Sequence, residues 1–180
     1  MTAPDTQTPK PLRAVWAGGL HTTLGVHGMT IDLQAALPVL LPRAIVWAQD
    51  RAQEILASGT ALSDAELLLA RRMGVAKPEQ IRISVVMALP LPSDPELQQA
   101  AVAAGLLGPG MVGLTLGHGI YICAGCKSAR LLSHECRHVY QYEQAGSIAA
   151  YLPVYLQQIV TVGYQNAPFE VDARGHELDA

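Results

Sequence analysis

The run His134-Glu135-Cys136-Arg137-His138 restricts the fold of this chain more than any other part of the sequence. It lies within residues 129–144, which are predicted to form a helix. Histidines four positions apart share one face of a helix about one turn apart, so their imidazoles can bind one metal ion, with Glu135 offset toward the open side. Such a site needs a further ligand from elsewhere in the fold. The run therefore predicts a metal-binding helix and a second element packed against it.

The further ligand should come from a following helix, because a catalytic zinc takes three protein ligands and leaves one position for water. Glu170 is the preferred candidate, thirty-two residues after His138, which leaves enough chain for a loop and one antiparallel helix. Ala173, three residues further on, is small enough to let the two helices pack closely. Asp172 is the alternative ligand. The expectation is one zinc ion per chain, held by His134, His138 and Glu170.

Composition narrows the class of protein to which such a site belongs. Half of the 180 residues are hydrophobic and 15% are charged, which suits a packed domain rather than a disordered chain. The formal net charge of −3 provides no basic surplus for nucleic acid, and no apolar run reaches the ~20 residues that span a bilayer. The opening residues lack the apolar run of a secretory signal, and three cysteines do not suit a secreted disulfide framework, so a cytoplasmic location is expected.

The remaining patterns predict a single α+β domain over residues 14–180, preceded by a disordered arm over residues 1–13. Helices are expected over residues 38–58, 64–73, 97–107, 129–144, 148–163 and 169–177. A strand is expected over residues 80–89, and residues 111–123 alternate around three glycines, as in a glycine-bearing strand or a hairpin near a sheet edge. The chain should be mostly helical, with a small sheet whose edge strand precedes the zinc-binding helix. The half that carries the metal site should cover residues 111–177.

These residues resemble those of a known enzyme family. The run from His134 to His138, followed by Glu170-x-x-Ala173-Arg174, is similar to the gluzincin zinc metallopeptidases of the HtpX and CAAX-protease branch, whose third ligand is a glutamate on a downstream helix. Residues 113–122 are similar to the strand before the zinc helix in small soluble bacterial members, among them the metallopeptidase-like core domain associated with contractile injection systems. The first 110 residues have no counterpart in this resemblance. The substrates of the membrane-embedded members are not expected here, because this chain lacks their membrane-spanning helices.

The resemblance implies a zinc-dependent peptide-bond hydrolase that acts on a peptide or protein substrate. Its ligands would be His134, His138 and Glu170, and Glu135 would be the general base that activates a zinc-bound water. The preceding strand would hold the substrate backbone as an added β-strand. The residues expected to contact substrate there are Leu114, Thr115, Leu116, Gly117 and His118. Four side chains could stabilise the oxyanion, with Tyr164 preferred: Tyr155, Tyr164, Arg174 and His176.

Three alternatives stay open from the sequence. A metal-binding but non-catalytic scaffold or interaction domain could keep the same ligands, although Glu135 argues against it because a structural site needs no base. A zinc amide hydrolase could act on a non-peptide substrate, and the same ligands would accept other divalent metals. The third alternative is an exposed helix face that matches by chance, with Glu170 an ordinary carboxylate.

Cys123 and Cys126 form a C-x-x-C pair without a partner pair, so they are expected to be buried or idle thiols.

Overall fold

In a computed structural model that describes residues 31–178, six helices surround a small mixed sheet. The helices are α1 (Leu33–Ser58), α2 (Asp64–Arg72), α3 (Pro95–Ala103), α4 (Ala129–Ala145), α5 (Ile148–Val162) and α6 (Pro168–Gly175). The strands are β1 (Thr60–Ala61), β2 (Arg82–Val86), β3 (Gly113–Leu116) and β4 (Gly119–Cys123). None of these helices is long and apolar enough to cross a membrane. The expected α+β class is confirmed, while the arm predicted over residues 1–13 lies outside the described residues.

The four strands form one sheet in the order β1-β2-β4-β3. β2 and β4 run parallel, whereas β1 pairs antiparallel with β2, and β3 pairs antiparallel with β4. Gly117 and His118 form the turn between β3 and β4, and Gly117 has a φ of 64°, which glycine adopts without steric cost. Residues 111–123 are therefore a hairpin. Its second strand, β4, is an inner strand of the sheet and is the strand that directly precedes α4. The edge strand of the hairpin is β3, which comes before β4 in the chain.

α1 begins five residues before the predicted start at residue 38, so that prediction of the helix start is wrong. Asp32 caps the helix by accepting hydrogen bonds from two backbone N–H groups of the first turn. Pro38 and Pro42 lie inside the helix on its exposed side. A proline removes one helical N–H donor, and on the exposed side the carbonyl that loses this donor can bond to water. A proline was thus compatible with the helix interior.

The sheet separates two apolar clusters, and α4 contributes to both. Alternate residues of β4 face opposite sides of the sheet: Ile120 and Ile122 are fully buried in the cluster formed with α2 and α4, while Tyr121 faces the cluster formed with α1 and α5. Gly119 lets α1 approach closely, because a Cβ there would lie 2.9 Å from the side chain of Ile55. This packing fixes the position of α4 against the sheet.

α4, the helix that contains the H-E-x-x-H run, has well-defined ends. The Ser128 hydroxyl accepts a hydrogen bond from the backbone N–H of Leu131, and Gly146 ends the helix with a φ of 83°. These bounds agree with the predicted helix over residues 129–144 to within one residue. α5 and α6 both pack against α4, and α6 carries the residues predicted to complete the metal site.

Candidate metal centre

α4 brings His134 and His138 to the same face, one turn apart, as their spacing predicts. Both are buried, and their Nε2 atoms lie 3.1 Å apart. On the opposite face of the helix, Cys136 and Val139 are fully buried in an apolar cluster, where burial raises the pKa of the Cys136 thiol to about 12. Apolar packing on one face therefore fixes the direction in which the two histidines point.

Glu170, in the first turn of α6, lies against these histidines with only 1% of its surface exposed. Its Oε2 is 3.5 Å from Nε2 of His134, and its Oε1 is 3.3 Å from Nε2 of His138. These three residues, called the metal group below, can each direct one ligand atom at a shared position. Asp172, the alternative ligand, is not a member of this group.

The second ring nitrogen of each histidine faces a hydrogen-bond acceptor, and this assigns the tautomers. Nδ1 of His134 is 3.1 Å from Oε1 of Glu177, and Nδ1 of His138 is 2.9 Å from Oε1 of Gln141. Because both oxygens accept, each Nδ1 carries the proton of the neutral ring and each Nε2 presents a lone pair. Two lone pairs then face each other and a carboxylate, an arrangement that is unfavourable without a cation between them.

Gln141 links His138 to α6. Its Nε2 donates to the backbone carbonyl of Phe169 and to Oδ2 of Asp172, both at 2.9 Å, so its Oε1 is the atom that accepts from the histidine. Arg137 in turn donates to both carboxylate oxygens of Asp172, at 2.7 and 3.0 Å. The orientation of the His138 ring is therefore fixed by a chain of hydrogen bonds that joins the two helices.

Burial and charge act in opposite directions on the ionisable members of the metal group. Burial disfavours the Glu170 carboxylate, but its contacts with His134, His138 and Tyr155 outweigh this effect and lower its pKa below the usual range. The Tyr155 hydroxyl donates to Oε1 at 2.8 Å. Burial likewise disfavours the His138 imidazolium, yet the nearby negative charge of Glu170 outweighs this effect and raises the pKa of His138. The site thus holds a buried negative charge that attracts a cation.

The separations between the ligand atoms suit a small tetrahedral ion. Tetrahedral ligands at about 2.0–2.1 Å from zinc lie about 3.3–3.4 Å from one another. The observed separations are 3.1 Å between the two Nε2 atoms and 3.3 and 3.5 Å from these atoms to the Glu170 oxygens. Two imidazoles and one carboxylate are also a donor set of catalytic zinc. The metal group therefore fits zinc both in spacing and in chemistry.

Glu135 lines the same cavity as the metal group and contacts β3, with 4% of its surface exposed. Its Oε2 accepts a hydrogen bond of 2.6 Å from Oγ1 of Thr115. Gly113 makes room for the carboxylate, because a Cβ at that position would come within 2.1 Å of Oε1 of Glu135. Within residues 31–178, Oε1 is the oxygen of this carboxylate that accepts no hydrogen bond.

Within residues 31–178, the edge strand β3 presents backbone groups without a hydrogen-bond partner beside Glu135. The backbone N–H of Cys123 donates to the carbonyl of Val112 at 2.8 Å, which shows that residue 112 faces β4. In an antiparallel pair the direction alternates, so Leu114 also faces β4, whereas Gly113 and Thr115 direct their N–H and C=O groups to the free edge. These groups can pair with an added strand.

The residues predicted to contact substrate are divided between two sides of the hairpin. Leu114, Thr115 and Leu116 line the cavity that contains the metal group, but Gly117 and His118 do not. His118 instead approaches α4, where its Nε2 is 3.0 Å from Oε1 of Glu143. The role of these five residues as substrate contacts stays a prediction.

The four candidates for oxyanion stabilisation have different surroundings. Tyr164 lines the cavity of the metal group, and burial together with the charge of Glu170 raises its pKa. Tyr155 is bonded to Glu170, and Arg174 lies 3.5 Å from the same carboxylate. His176 contacts a backbone carbonyl of its own helix at 2.8 Å. The assignment of Tyr164 stays a prediction.

Two residues that support the metal group were missed in the sequence, Gln141 and Glu177. Gln141 follows His138 by three residues, so its position on the same helix face was a usable signal. Glu177 follows the end of α6, and no local pattern indicates that it returns to His134. Cys123 and Cys126 are free, half-buried thiols.

Comparison with known proteins gives no assignment: no family, curated protein or solved structure matches the chain. The functional evidence is therefore the cluster itself. His134 and His138 on an H-E-x-x-H helix, together with the downstream Glu170, form a group that can hold a metal ion.

Proposed function

We propose that the protein is a zinc-dependent hydrolase of peptide bonds, of the gluzincin type. The observation that carries this proposal is the convergence of His134, His138 and Glu170 at separations of 3.1–3.5 Å, with Glu135 beside them in the same cavity. A structural zinc site is usually closed by four protein ligands, whereas three ligands next to a further carboxylate suit a catalytic site.

In this proposal Glu135 is the general base. Thr115 holds its Oε2, which leaves Oε1 to take a proton from the attacking water and to pass it to the departing amine. Zinc bound by the metal group supplies a Lewis acid that lowers the pKa of water toward ~7. Gln141 and Glu177 keep the protons of the two histidines on Nδ1, so that both Nε2 atoms stay available as ligands.

The edge strand β3 is the feature that favours an extended peptide as the substrate. The free N–H and C=O groups of Gly113 and Thr115 lie on the strand that contacts Glu135, so a peptide paired with them would bring its carbonyl to the metal group. Tyr164 lines the same cavity and is the proposed donor to the oxyanion.

The second candidate function is a metal-binding domain without catalysis. One observation favours it: the Glu135 carboxylate is 4% exposed and already bonded to Thr115. A base that stays in this position would keep the metal site intact but would not reach a water molecule.

Metal content tests the site first. Purified wild-type protein should contain about one zinc ion per chain by elemental analysis. Removing one imidazole ligand in His134→Ala should abolish zinc binding, and Glu170→Ala should weaken it. A wild-type protein that takes up no zinc, even when zinc is added, contradicts the proposed function.

Hydrolysis of a mixed peptide library then separates the two candidate functions. Glu135→Gln should retain zinc but lose activity by about 10²–10⁴-fold, the usual contribution of a general base. Glu79→Gln, the same substitution at an exposed position, is the matched control. Bound zinc without any hydrolysis that depends on Glu135 supports the non-catalytic domain.

A further inference from the structure

The cavity that contains the metal group extends away from it between α1 and α3. α1 lines it with one stripe of apolar side chains at helical spacing: Leu33, Leu37, Leu40, Leu41, Ala44 and Ala48. These side chains lie along one face of the helix, so the apolar part of the cavity is elongated. The cavity volume is about 150 Å³. An elongated apolar space suits an unbranched chain better than a ring.

The two ends of this cavity differ in chemistry. At the metal group it is lined by Glu135, the two histidines and the edge strand β3, which offer charges and backbone hydrogen bonds. Along α1 and α3 the lining contains no charged side chain, and the indole N–H of Trp47 is its one side-chain hydrogen-bond donor.

Within the interiors of α1 and α3, the backbone offers no partners at the apolar end either. Helical N–H and C=O groups are paired within the helix, and the two prolines that interrupt this pairing in α1, Pro38 and Pro42, lie on its exposed side. An amide placed along α1 and α3 would therefore be buried without hydrogen-bond partners, which is unfavourable. A hydrocarbon chain has no such groups and gains from burial.

We propose that this cavity binds the unbranched acyl chain of an N-acylated peptide, and that the amide bond of this acyl group is the bond hydrolysed. The inference rests on the proposed function, because it keeps the same site and the same attack by water, but the bond hydrolysed is the acyl amide of the peptide and not a bond between two amino acids. Water adds its hydroxyl to the acyl carbonyl carbon and its proton to the departing nitrogen, which gives a fatty acid and a free peptide amine. The acyl chain lies along α1 and α3, and the peptide lies along β3.

The cavity volume sets the chain length. A cavity of about 150 Å³ has room for about six carbon atoms, and the metal group occupies one end of it. Each buried methylene should raise affinity about fourfold. Affinity should therefore rise with chain length up to about six to eight carbons, because each added methylene is buried, and then level off because longer chains no longer fit.

The first experiment measures the cavity without using the metal. Straight-chain alkanols from ethanol to decanol are titrated calorimetrically into the full chain, with and without zinc. The expected result is the rise and plateau described above in both forms. An affinity that does not depend on chain length overturns the inference, whether or not zinc binds.

Three substitutions, two at the end of α3 and one at the residue that caps it, test whether the chain lies in the cavity. Ala101 and Ala104 line it, so Ala101→Phe and Ala104→Phe should flatten the chain-length dependence. Ala103 is exposed and does not line it, so Ala103→Phe is the matched control and should keep the dependence. Two lining variants are used so that one can fail to fold without removing the test, and circular dichroism checks each fold. Unchanged dependence in a folded lining variant overturns the inference.

The second experiment connects the chain to the metal group. On zinc-loaded protein, octanohydroxamate should bind more than about 100-fold more tightly than acetohydroxamate, because six methylenes are added. Tighter binding of benzohydroxamate than of hexanohydroxamate would favour an aromatic side chain and overturn the inference. Absence of zinc binding contradicts the proposed function instead, and in that case the alkanol series still decides whether the cavity takes a hydrocarbon chain.

Discussion

Two clusters of histidine and carboxylate lie on α4, and they are built in opposite ways. In the cluster near the end of the helix, Glu143 is at the centre. Its carboxylate accepts hydrogen bonds from the backbone N–H groups of Ala76 and Lys77 at 2.6 and 3.0 Å, and Nε2 of His118 lies 3.0 Å away. In the metal group, two imidazole Nε2 atoms and a carboxylate face one another.

The difference shows what distinguishes a metal site from an ordinary ion pair. The oxygens of Glu143 meet donors from the backbone and from one ring, so this cluster is complete without an ion. In the metal group, the protons are held on Nδ1 by Glu177 and Gln141, and the lone pairs that remain point at one place. In both clusters a histidine lies close to a glutamate. The clusters differ in whether the ring nitrogens that face the carboxylate carry a proton or a lone pair.

The largest expected effect comes from removing a ligand. His138→Ala should lower zinc affinity by more than the roughly 10–100-fold that partners outside the ligand set contribute. His118→Ala removes a partly buried imidazole from the other cluster and should leave zinc affinity unchanged. Competition with a chromogenic chelator measures both variants. Equal losses in the two would break the distinction between the clusters.

The next effect tests the control of the ring proton. Gln141→Met keeps a similar volume but removes the acceptor from Nδ1 of His138 and the bonds to α6, so zinc affinity should fall by about 10–100-fold. Gln144→Met, the same substitution at an exposed position of α4, should have no effect. The same chelator titration applies, and an unchanged affinity in Gln141→Met would show that ring orientation does not depend on this bond.

Local spacing explains how much of the site could be predicted. His134 and His138 are related by one helical turn, which is fixed by backbone geometry alone. Glu170 could be selected because a small residue, Ala173, follows it on a helix able to pack against α4. Glu177 could not be selected from the sequence. Its position depends on the path of the chain after α6, and no local sequence pattern predicts that path.

The parts of the fold that depend on local sequence could also be predicted, and the parts that depend on distant segments could not. The hairpin was one of two structures expected over residues 111–123, and α4 was predicted to within one residue. Gly117, Ser128 and Gly146 occupy the turn and the helix ends, which are features that local sequence determines. The start of α1 was wrong because Pro38 resembles a helix boundary, while the actual cap at Asp32 lies one and a half turns earlier. The parallel pairing of β2 with β4 joins segments that are distant in the chain, so no local pattern predicts it.

A smaller effect should distinguish stability from metal binding. Glu143→Gln removes the charge that strengthens two hydrogen bonds to the loop before β2, and it should lower the free energy of unfolding by about 1–3 kcal/mol. Urea denaturation measures this change, with Glu79→Gln as the exposed control. Zinc affinity should stay the same, and a fall in zinc affinity would mean that the two clusters are coupled through α4.

The smallest effect is expected for His118→Gln. The side chain of His118 is 22% exposed, and a partly exposed ion pair contributes about 0–1 kcal/mol to stability. Glutamine can still donate one hydrogen bond to Glu143, while the two backbone donors to that carboxylate are unaffected. The change in the free energy of unfolding should therefore stay below about 1 kcal/mol in urea denaturation. A larger loss would show that the histidine, and not the backbone of the loop, is the main partner of Glu143, and the two clusters would then be more alike than their geometry indicates.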